Sequence, residues 1–338
     1  MEKYVITLDG GTTNTRCILW DKDKNMLASA KREVGVRNTS IDGNNEKLKK
    51  AVRECIEEVL NEAGIKEDEV SLILSSGMVT SELGLYTVPW ISAPAGKAEL
   101  AANMKNVVLS EISRIPFSFI PGIKNSEGPF DMGNIADMDI MRGEEAESIA
   151  IIEHFVNSGK KEGQELLLVL PGSHNKFIPV NGDGQIMGCI TSISGELLSA
   201  ITNDTIVAKS VEKSFVSPEA YEREMVIAGF ETARAQGLGK ACFTARTMML
   251  FMNEEPQRIA NFILGASIAG DLEALKNTKA FNISHDAKVV VSGKEPLRNA
   301  IADILRHDGM FTDICEYENE SGIPLSALGQ YIIAEGMD

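Results

Sequence analysis

A chain of 338 residues is longer than one typical domain and suits two lobes of ordinary size. Hydrophobic residues at 43% and charged residues at 24% are a globular balance, which excludes wholesale disorder. The 33 Lys and Arg stand against 49 Asp and Glu, and the resulting net charge of −16 repels phosphate backbones and anionic lipid, so a general nucleic-acid or membrane-surface binder is excluded.

Residues 4–9 form an apolar run of β type that ends at Asp9, followed by the loop Gly10-Gly-Thr-Thr-Asn14 and a second run at 15–20. A polar turn at 21–25 precedes a third strand over 26–34, so the chain opens as a three-stranded meander. From 44 to 63, Leu48, Ala51, Val52, Cys55, Val59 and Leu60 recur at helical spacing, and Gly64 is placed to end that helix. A buried strand follows at 71–75. The Gly- and Pro-punctuated stretch up to Pro94 has no clear period and reads as loops and short strands. A strand pair over 106–114 and 117–120 leads through turn-rich residues to a helix over 143–156, a candidate link between lobes.

The pattern then repeats. An apolar strand at 165–170 runs into Pro171-Gly-Ser-His-Asn-Lys176, a strand at 177–180, a polar turn, and a strand at 185–193. Aligning Gly11-Thr-Thr-Asn14 with Gly172-Ser-His-Asn175 sets the two units about half a chain apart, as an internal duplication would. The expected lobes are 1–158, with the first loop and linking helix, and 159–338, with the second loop, its last helix free to pack back on the first lobe. Helical patterns cover 195–203, 218–235 and 256–275. A buried strand at 288–292 ends at Gly293, and a helix over 295–305, a strand over 311–317 and a last helix from Pro324 complete the chain. Met248, Met249, Phe251 and Met252 read as core.

Met1, Glu2 and Lys3 lead straight into the first strand with neither the charged n-region nor the apolar h-region of a signal peptide, and no apolar run approaches the roughly 20 residues of a membrane span. A cytoplasmic protein is expected. Cys17, Cys55, Cys189, Cys242 and Cys315 are odd in number and never paired as C-x-x-C, and the four His lack ligand spacing. Disulfides and transition-metal catalysis are not expected.

Glycines in the first loop let backbone N–H groups approach an anion, while Thr12, Thr13 and Asn14 add neutral donors, an arrangement suited to a triphosphate. Asp9, at the strand end, is placed to hold Mg²⁺ through water, because that ion keeps several waters and needs few carboxylates. A plain Gly-rich hairpin would explain one such loop. Two in duplicated positions, Gly10 to Asn14 and Gly172, Ser173, His174, Asn175, are hard to explain as chance turns. Lys176 could bring positive charge to a transferring phosphoryl group, or could be an ordinary strand residue. Met141-Arg-Gly-Glu-Glu145 opens a helix, where Glu144 could act as general base and Arg142 could clamp a substrate carboxylate; helix-start acids are equally natural for stability. Glu196 opens another helix as a cap or a substrate contact. Ser292 and Gly293 end a strand at a turn where ligands bind in open α/β sheets, and could hold the adenosine of a nucleotide. No G-x-x-x-x-G-K-[ST] or G-x-G-x-x-G motif is present, which disfavours P-loop and dinucleotide-binding folds.

These loops, with Ser76-Gly-Met78, Ile120-Pro-Gly122, Met141-Arg-Gly-Glu-Glu145, Pro171-Gly-Ser-His-Asn-Lys176, Thr191-Ser-Ile-Ser-Gly-Glu-Leu197, Leu264-Gly-Ala-Ser267 and Val291-Ser-Gly293, resemble the 2-keto-3-deoxygalactonate kinase family of the sugar kinase, Hsp70 and actin superfamily. The resemblance implies an α/β fold of two duplicated ribonuclease-H-like lobes closing on ATP and Mg²⁺. It further implies ATP-dependent phosphorylation of the terminal hydroxyl of 2-keto-3-deoxygalactonate, and a homodimer is one expectation. It supports Glu144 as base and Arg142 as substrate ligand, with Asp139 and Asp9 as rival bases, and Glu196 stays a candidate substrate ligand from its helix start. Where the family pattern has an aromatic residue after the loop Asp, this chain has Gly10, which predicts a wider pocket floor. A different sugar-acid substrate, a phosphohydrolase and a nucleotide-gated protein are the alternatives on the same fold.

Overall fold

The computed structural model describes residues 4–159 and 163–337; Met1, Glu2 and Lys3, read above as the lead into the first strand, lie outside the described residues. The chain divides into two compact units, one of residues 1–161, 184–188 and 319–338, the other of residues 162–183 and 189–318.

In the first unit, β1 (Tyr4–Gly10), β2 (Thr15–Trp20) and β3 (Met26–Arg32) form the antiparallel meander that the apolar runs require. Helix α1 (Val36–Asp42) follows, then α2 (Glu46–Ala63) and β4 (Val70–Gly77), which pairs parallel with β1. The stripe of α2 is buried as its spacing demands, with Leu48, Val52, Cys55 and Val59 packed among Ile6, Leu8, Leu19, Phe117 and Phe119. Each large apolar side chain removed from water there contributes roughly 1.5–3 kcal/mol. The aperiodic stretch holds β5 (Ile91–Ser92) and α3 (Lys97–Ala102), then β6 (Lys105–Val107), β7 (Phe117–Phe119), β8 (Ile123–Lys124), β9 (Ile140–Met141) and α4 (Glu144–Asn157). The main sheet runs β3-β2-β1-β4-β7-β6, and β5-β8-β9 form a small separate sheet.

In the second unit, β10 (Leu166–Leu170), β11 (Asn175–Val180) and β12 (Ile190–Ser192) form another antiparallel meander, followed by α5 (Ser194–Asp204), α6 (Arg223–Gln236), α7 (Leu238–Thr247) and α8 (Pro256–Asn277). Then come β13 (Lys288–Val291), parallel to β10, α9 (Leu297–Asp308) and β14 (Asp313–Glu316), giving the order β12-β11-β10-β13-β14. Both sheets thus set a hairpin-linked meander against a parallel strand added beside its first member, and the duplication in the sequence is a duplication of topology. The last helix, α10 (Leu325–Ala334), belongs to the first unit, where it packs on α4, β1 and β4.

Four local expectations change. The strand expected over 106–114 ends at Val107 in β6, because the chain then turns, with the Ile112 and Ser113 amides both donating to the Leu109 carbonyl. The strand expected over 185–193 shortens to β12, because Ile186 pairs instead with Ala95 of the first unit. The 218–235 helix breaks after a 3-10 turn at Pro218–Ala220, before α6. Of the residues read as core, Met248 is buried but Phe251 is 84% exposed and Met252 64%. The helix widens there into a π turn that ends at Asn253 in the left-handed conformation, and its apolar side chains are left facing water.

Candidate active site

Asp9 ends β1 directly across from Arg16 of β2. Its Oδ2 accepts a hydrogen bond from the Ser326 hydroxyl of α10 at 2.9 Å. Burial pushes its carboxyl above the ordinary value; the Ser326 hydrogen bond and the Arg16 charge oppose that rise, and the Glu144 charge adds to it. Glu144 and Glu147 of α4 both lie within electrostatic reach of Asp9. What brings them together is a seam of glycines. A Cβ on Gly77 would lie 2.8 Å from the Gly10 carbonyl and 3.2 Å from Asp9 Oδ1, and one on Gly143 would lie 3.3 Å from the Gly77 Cα. Both glycines hold positive φ, 81° and 119°, that side-chain-bearing residues rarely adopt. The end of β4, the first loop and the start of α4 can meet only through them.

The first loop is clasped from one side. Gly11 N–H donates to the Asn14 carbonyl, and the Val36 and Arg37 amides at the start of α1 donate to the Gly11 and Thr12 carbonyls at 3.2 and 2.9 Å. Gly35, capping α1, sits so close that a Cβ would lie 2.4 Å from the Thr12 carbonyl oxygen. With the carbonyls so held, the Thr12 and Thr13 amides take no backbone partner among the described residues, and both residues are exposed. Such amides and hydroxyls suit an anion. The expectation for Gly10 is corrected here. It is buried, and a Cβ would lie 2.0 Å from Val79 Cγ1, so Val79 fills the space an aromatic residue would need and no pocket floor is widened.

At the start of α4, Glu144 Oε2 accepts the Arg142 amide at 3.0 Å and Glu145 Oε2 accepts the Gly143 amide at 2.7 Å. Arg142 is deeply engaged. Its Nη1 donates to the Thr80 carbonyl at 2.8 Å and to the Thr80 hydroxyl, its Nη2 donates to the Val88 carbonyl at 2.9 Å, and the guanidinium stacks 4.3 Å from the Trp90 ring centre. In this arrangement Arg142 ties three backbone segments together. Glu145 is fully buried and its pKa is pushed up to about 8, by burial first and then by the Glu144 charge. Glu147 keeps part of its surface, yet burial of its carboxyl and the charges of Asp9, Glu144 and Glu145 push it to about 8 as well. Asp139 precedes β9, where its Oδ1 accepts the Ile140 amide and its carbonyl accepts the Asn125 amide.

The second unit builds its loop by the same device. The Gly172 amide donates to Asn175 Oδ1 at 3.1 Å, and the start of α5 closes on the loop: a Cβ on Gly195 would lie 2.1 Å from the Gly172 carbonyl, and the Glu196 amide donates to the Ser173 carbonyl at 3.1 Å. Gly195 stands to this loop as Gly35 does to the first. His174 Nε2 and Glu196 Oε1 are 2.9 Å apart on the exposed side. Asn175 and Lys176 point into the unit: Asn175 is fully buried, and Lys176, 5% exposed, donates to the Thr191 hydroxyl at 2.5 Å. Ser292 donates its amide to the Val169 carbonyl, and Gly293 lies against Pro171, so the strand end expected near the adenosine borders the second loop. Just beyond it, Pro296 and Leu297 line an apolar pocket of about 200 Å³ with Phe215, Val216 and Leu264.

The predicted site residues therefore form two groups: Asp9 to Asn14 with Arg142 and Glu144 in the first unit, and Gly172 to Lys176 with Glu196, Ser292 and Gly293 in the second. Ser326, Gly35 and Asp271 escaped sequence reasoning. Asp271 alone left a trace, as an acid inside the apolar pattern of α8.

Two meander-led α/β sheets, each with a glycine–hydroxyl loop after its first strand, define a protein of the sugar kinase and actin-like fold. A Sinorhizobium meliloti protein described as a candidate 2-dehydro-3-deoxygalactonokinase shares this fold with a TM-score of 0.69 at 18% identity, over 98% of this chain and 96% of that one. The chain belongs to the 2-keto-3-deoxy-galactonokinase family, whose model matches residues 9–323. It is 23% identical over 278 residues to the 2-dehydro-3-deoxygalactonokinase of Escherichia coli (strain K12), covering 82% of each chain. A short stretch of 34 residues, 10% of this chain, is 59% identical to a glycerol kinase of Shewanella piezotolerans, 7% of that protein. Membership makes this chain a kinase of sugar-acid metabolism that transfers phosphate to an alcohol group.

Proposed function

We propose that this kinase transfers the γ-phosphoryl group of ATP to the terminal hydroxyl of 2-keto-3-deoxygalactonate, giving the 6-phosphate. The observation that carries the reading is the Asp9 carboxyl, held by the Ser326 hydroxyl at the root of the clasped first loop, within a chain whose family model spans residues 9–323. Phosphoryl transfer asks for alignment and charge neutralisation more than covalent catalysis, and a site of loop amides, hydroxyls and acids with no activated nucleophile suits that demand.

The Thr12 and Thr13 amides and hydroxyls bind phosphate oxygens, and the Gly172 to His174 loop of the second unit is likewise a phosphate-binding loop. The base of ATP takes the apolar pocket beside Ser292 and Gly293. Glu144 accepts the proton of the acceptor hydroxyl, with Asp139 and Asp9 as rivals for that role. Glu196 contacts substrate from the start of α5, and Lys176 adds positive charge from the root of the second loop.

Among the described residues no cluster of three or more His, Cys, Asp or Glu side chains forms a metal cage. A magnesium ion carried by a nucleotide needs only one or two carboxylates besides the phosphates. Asp9 fits it: a buried carboxyl that its single nearby cation leaves raised in pKa is what a divalent ion relieves. Bound there, the ion would neutralise charge on the phosphates.

Arg142 is the least comfortable of the expected ligands, because reaching a substrate carboxylate would break its bonds to Thr80 and Val88. Its support of the Trp90 and Thr80 segments is the reading favoured here. The test is an ADP-release assay with ATP and Mg²⁺ against a panel of 2-keto-3-deoxy sugar acids, neutral sugars and a no-acceptor control. Turnover confined to a 2-keto-3-deoxy acid supports the proposal; acceptor-independent release favours a phosphohydrolase and overturns it.

A further inference from the structure

Asp271 lies in the middle of α8, only 2% exposed, and three side chains converge on it. Asn175 Nδ2 donates to its Oδ2 at 2.8 Å, and the hydroxyls of Ser192 and Ser194 donate to its Oδ1, each at 2.5 Å. The two serines are also joined, with their hydroxyl oxygens 2.6 Å apart and the Ser194 amide donating to the Ser192 hydroxyl. One buried carboxylate thus gathers the end of β12, the first residue of α5 and the root of the second loop.

Each partner passes that constraint outward. Asn175 uses its amide nitrogen on Asp271 and its carbonyl oxygen on the Gly172 amide, so the orientation of the Asn175 side chain is set from below and the turn of the loop is closed above. Ser194 starts α5, whose next residues, Gly195 and Glu196, press on the Gly172 and Ser173 backbone. The loop is therefore held from inside and from its flank by groups that share one anchor, while the Ser173 and His174 amides take no backbone partner among the described residues. A buried acid is costly unless it is satisfied, and one placed where an apolar residue would pack more cheaply points to a positioning role.

We infer that Asp271 is a positioning residue that fixes the shape of the 172–176 loop through Asn175 and the start of α5, and so sets affinity for the nucleotide. This rests on the reading of that loop as a phosphate-binding loop. Asp271 does not reach the ligand itself.

Substituting Asp271→Asn keeps the volume but removes one acceptor: with its oxygen kept on the two serine hydroxyls, the new amide opposes the Asn175 amide donor, which then bonds position 271 only by turning its own oxygen away from the Gly172 amide. Asp271→Leu, which removes every acceptor at this position, is measured beside it. The exchange Asp271→Asn with Asn175→Asp restores one amide facing one carboxylate, and the carboxylate now on the loop still accepts the Gly172 amide. Two readouts are taken on the full chain: exchange protection of the Gly172 amide by NMR, and binding of ATP by calorimetry alongside KM for the acid acceptor. For D271N, protection falls and ATP binds about tenfold or more weakly, the scale of one broken buried hydrogen bond, while the acceptor KM changes less than about twofold. For the double exchange, both return to within about threefold of wild type. Unchanged Gly172 protection in both D271N and D271L, or failure of the exchange to restore it where D271N has lost it, overturns the inference whatever the ligand is. Wild-type protein that binds no ATP overturns the nucleotide reading instead, and protection at Gly172 still decides whether Asp271 shapes the loop. Should D271N not fold, D271L, which leaves the Asn175 acceptor of the Gly172 amide in place, is read in the same two ways.

Discussion

Gly35→Ala is the sharpest local perturbation of the first loop. The new Cβ would stand 2.4 Å from the Thr12 carbonyl oxygen and 2.5 Å from the Gly11 oxygen and the Thr12 carbonyl carbon, all of them backbone atoms that no side-chain rotation relieves. Reaching even the 3.0 Å floor of real Cβ contacts moves the loop or the helix start by 0.6 Å, and reaching ordinary contact at 3.4 Å moves it by 1.0 Å. The same two carbonyls accept the Val36 and Arg37 amides at 3.2 and 2.9 Å, so the retreat stretches both bonds together. Overpacking of this kind costs about 1–3 kcal/mol, and two weakened backbone bonds add roughly 1 kcal/mol. A displacement near 1 Å in a positioning loop lowers turnover by about 10²-fold. Chemical denaturation and ATP KM at saturating acceptor are measured side by side. Gly239→Ala, where a Cβ meets nothing within 4 Å, is the control and should be neutral or slightly stabilising. A folded G35A protein with wild-type ATP KM and kcat would refute the claim that this loop holds phosphates.

Glu144→Gln should lower kcat by about 10²–10⁴-fold with little change in ATP KM, as loss of a general base does; an unchanged kcat would move the base to Asp139 or Asp9. Arg142→Lys cannot reproduce the forked contacts to Thr80 and Val88 or the Trp90 stack, and should cost about 2–3 kcal/mol in denaturant unfolding; unchanged stability with a raised KM for the acid would restore Arg142 as a substrate clamp. Glu145 has an unperturbed pKa of 4.5 and a folded one of about 8, so between those values the folded chain binds the extra proton. Stability should therefore fall as pH rises from about 5 to about 8. Glu145→Gln should flatten that slope in Tm against pH, and an unaltered slope would place the proton elsewhere.

Much of this architecture is visible in the sequence because it is written locally. The alternating apolar runs at 4–9 and 165–170, each followed by glycine, hydroxyl and Asn, state both the strands and the loops, and the stripe of α2 announces its buried face. What escaped depends on distant partners. Ser326 reaches Asp9 across 317 positions of chain, and Asn175 reaches Asp271 across 96; no period or local motif marks such pairs. Helix α1 escaped because its run of Val36 to Asp42 is polar and lacks an apolar stripe; it stands because Gly35 lets its first amides bond to the loop. Gly10 misled because a missing side chain looks like space, whereas Val79 from another element fills it. The bonds of Arg142 to the carbonyls of Thr80 and Val88 are equally invisible in the sequence, which shows its charge and not its partners.

The most direct test of the central claim is phosphorus NMR of the reaction of this chain with ATP, Mg²⁺ and 2-keto-3-deoxygalactonate. The account predicts a new phosphomonoester signal coupled to the protons of the terminal carbon, formed in step with ADP and lost in Glu144→Gln. Inorganic phosphate alone, or a phosphomonoester only when another acceptor is supplied, would contradict it.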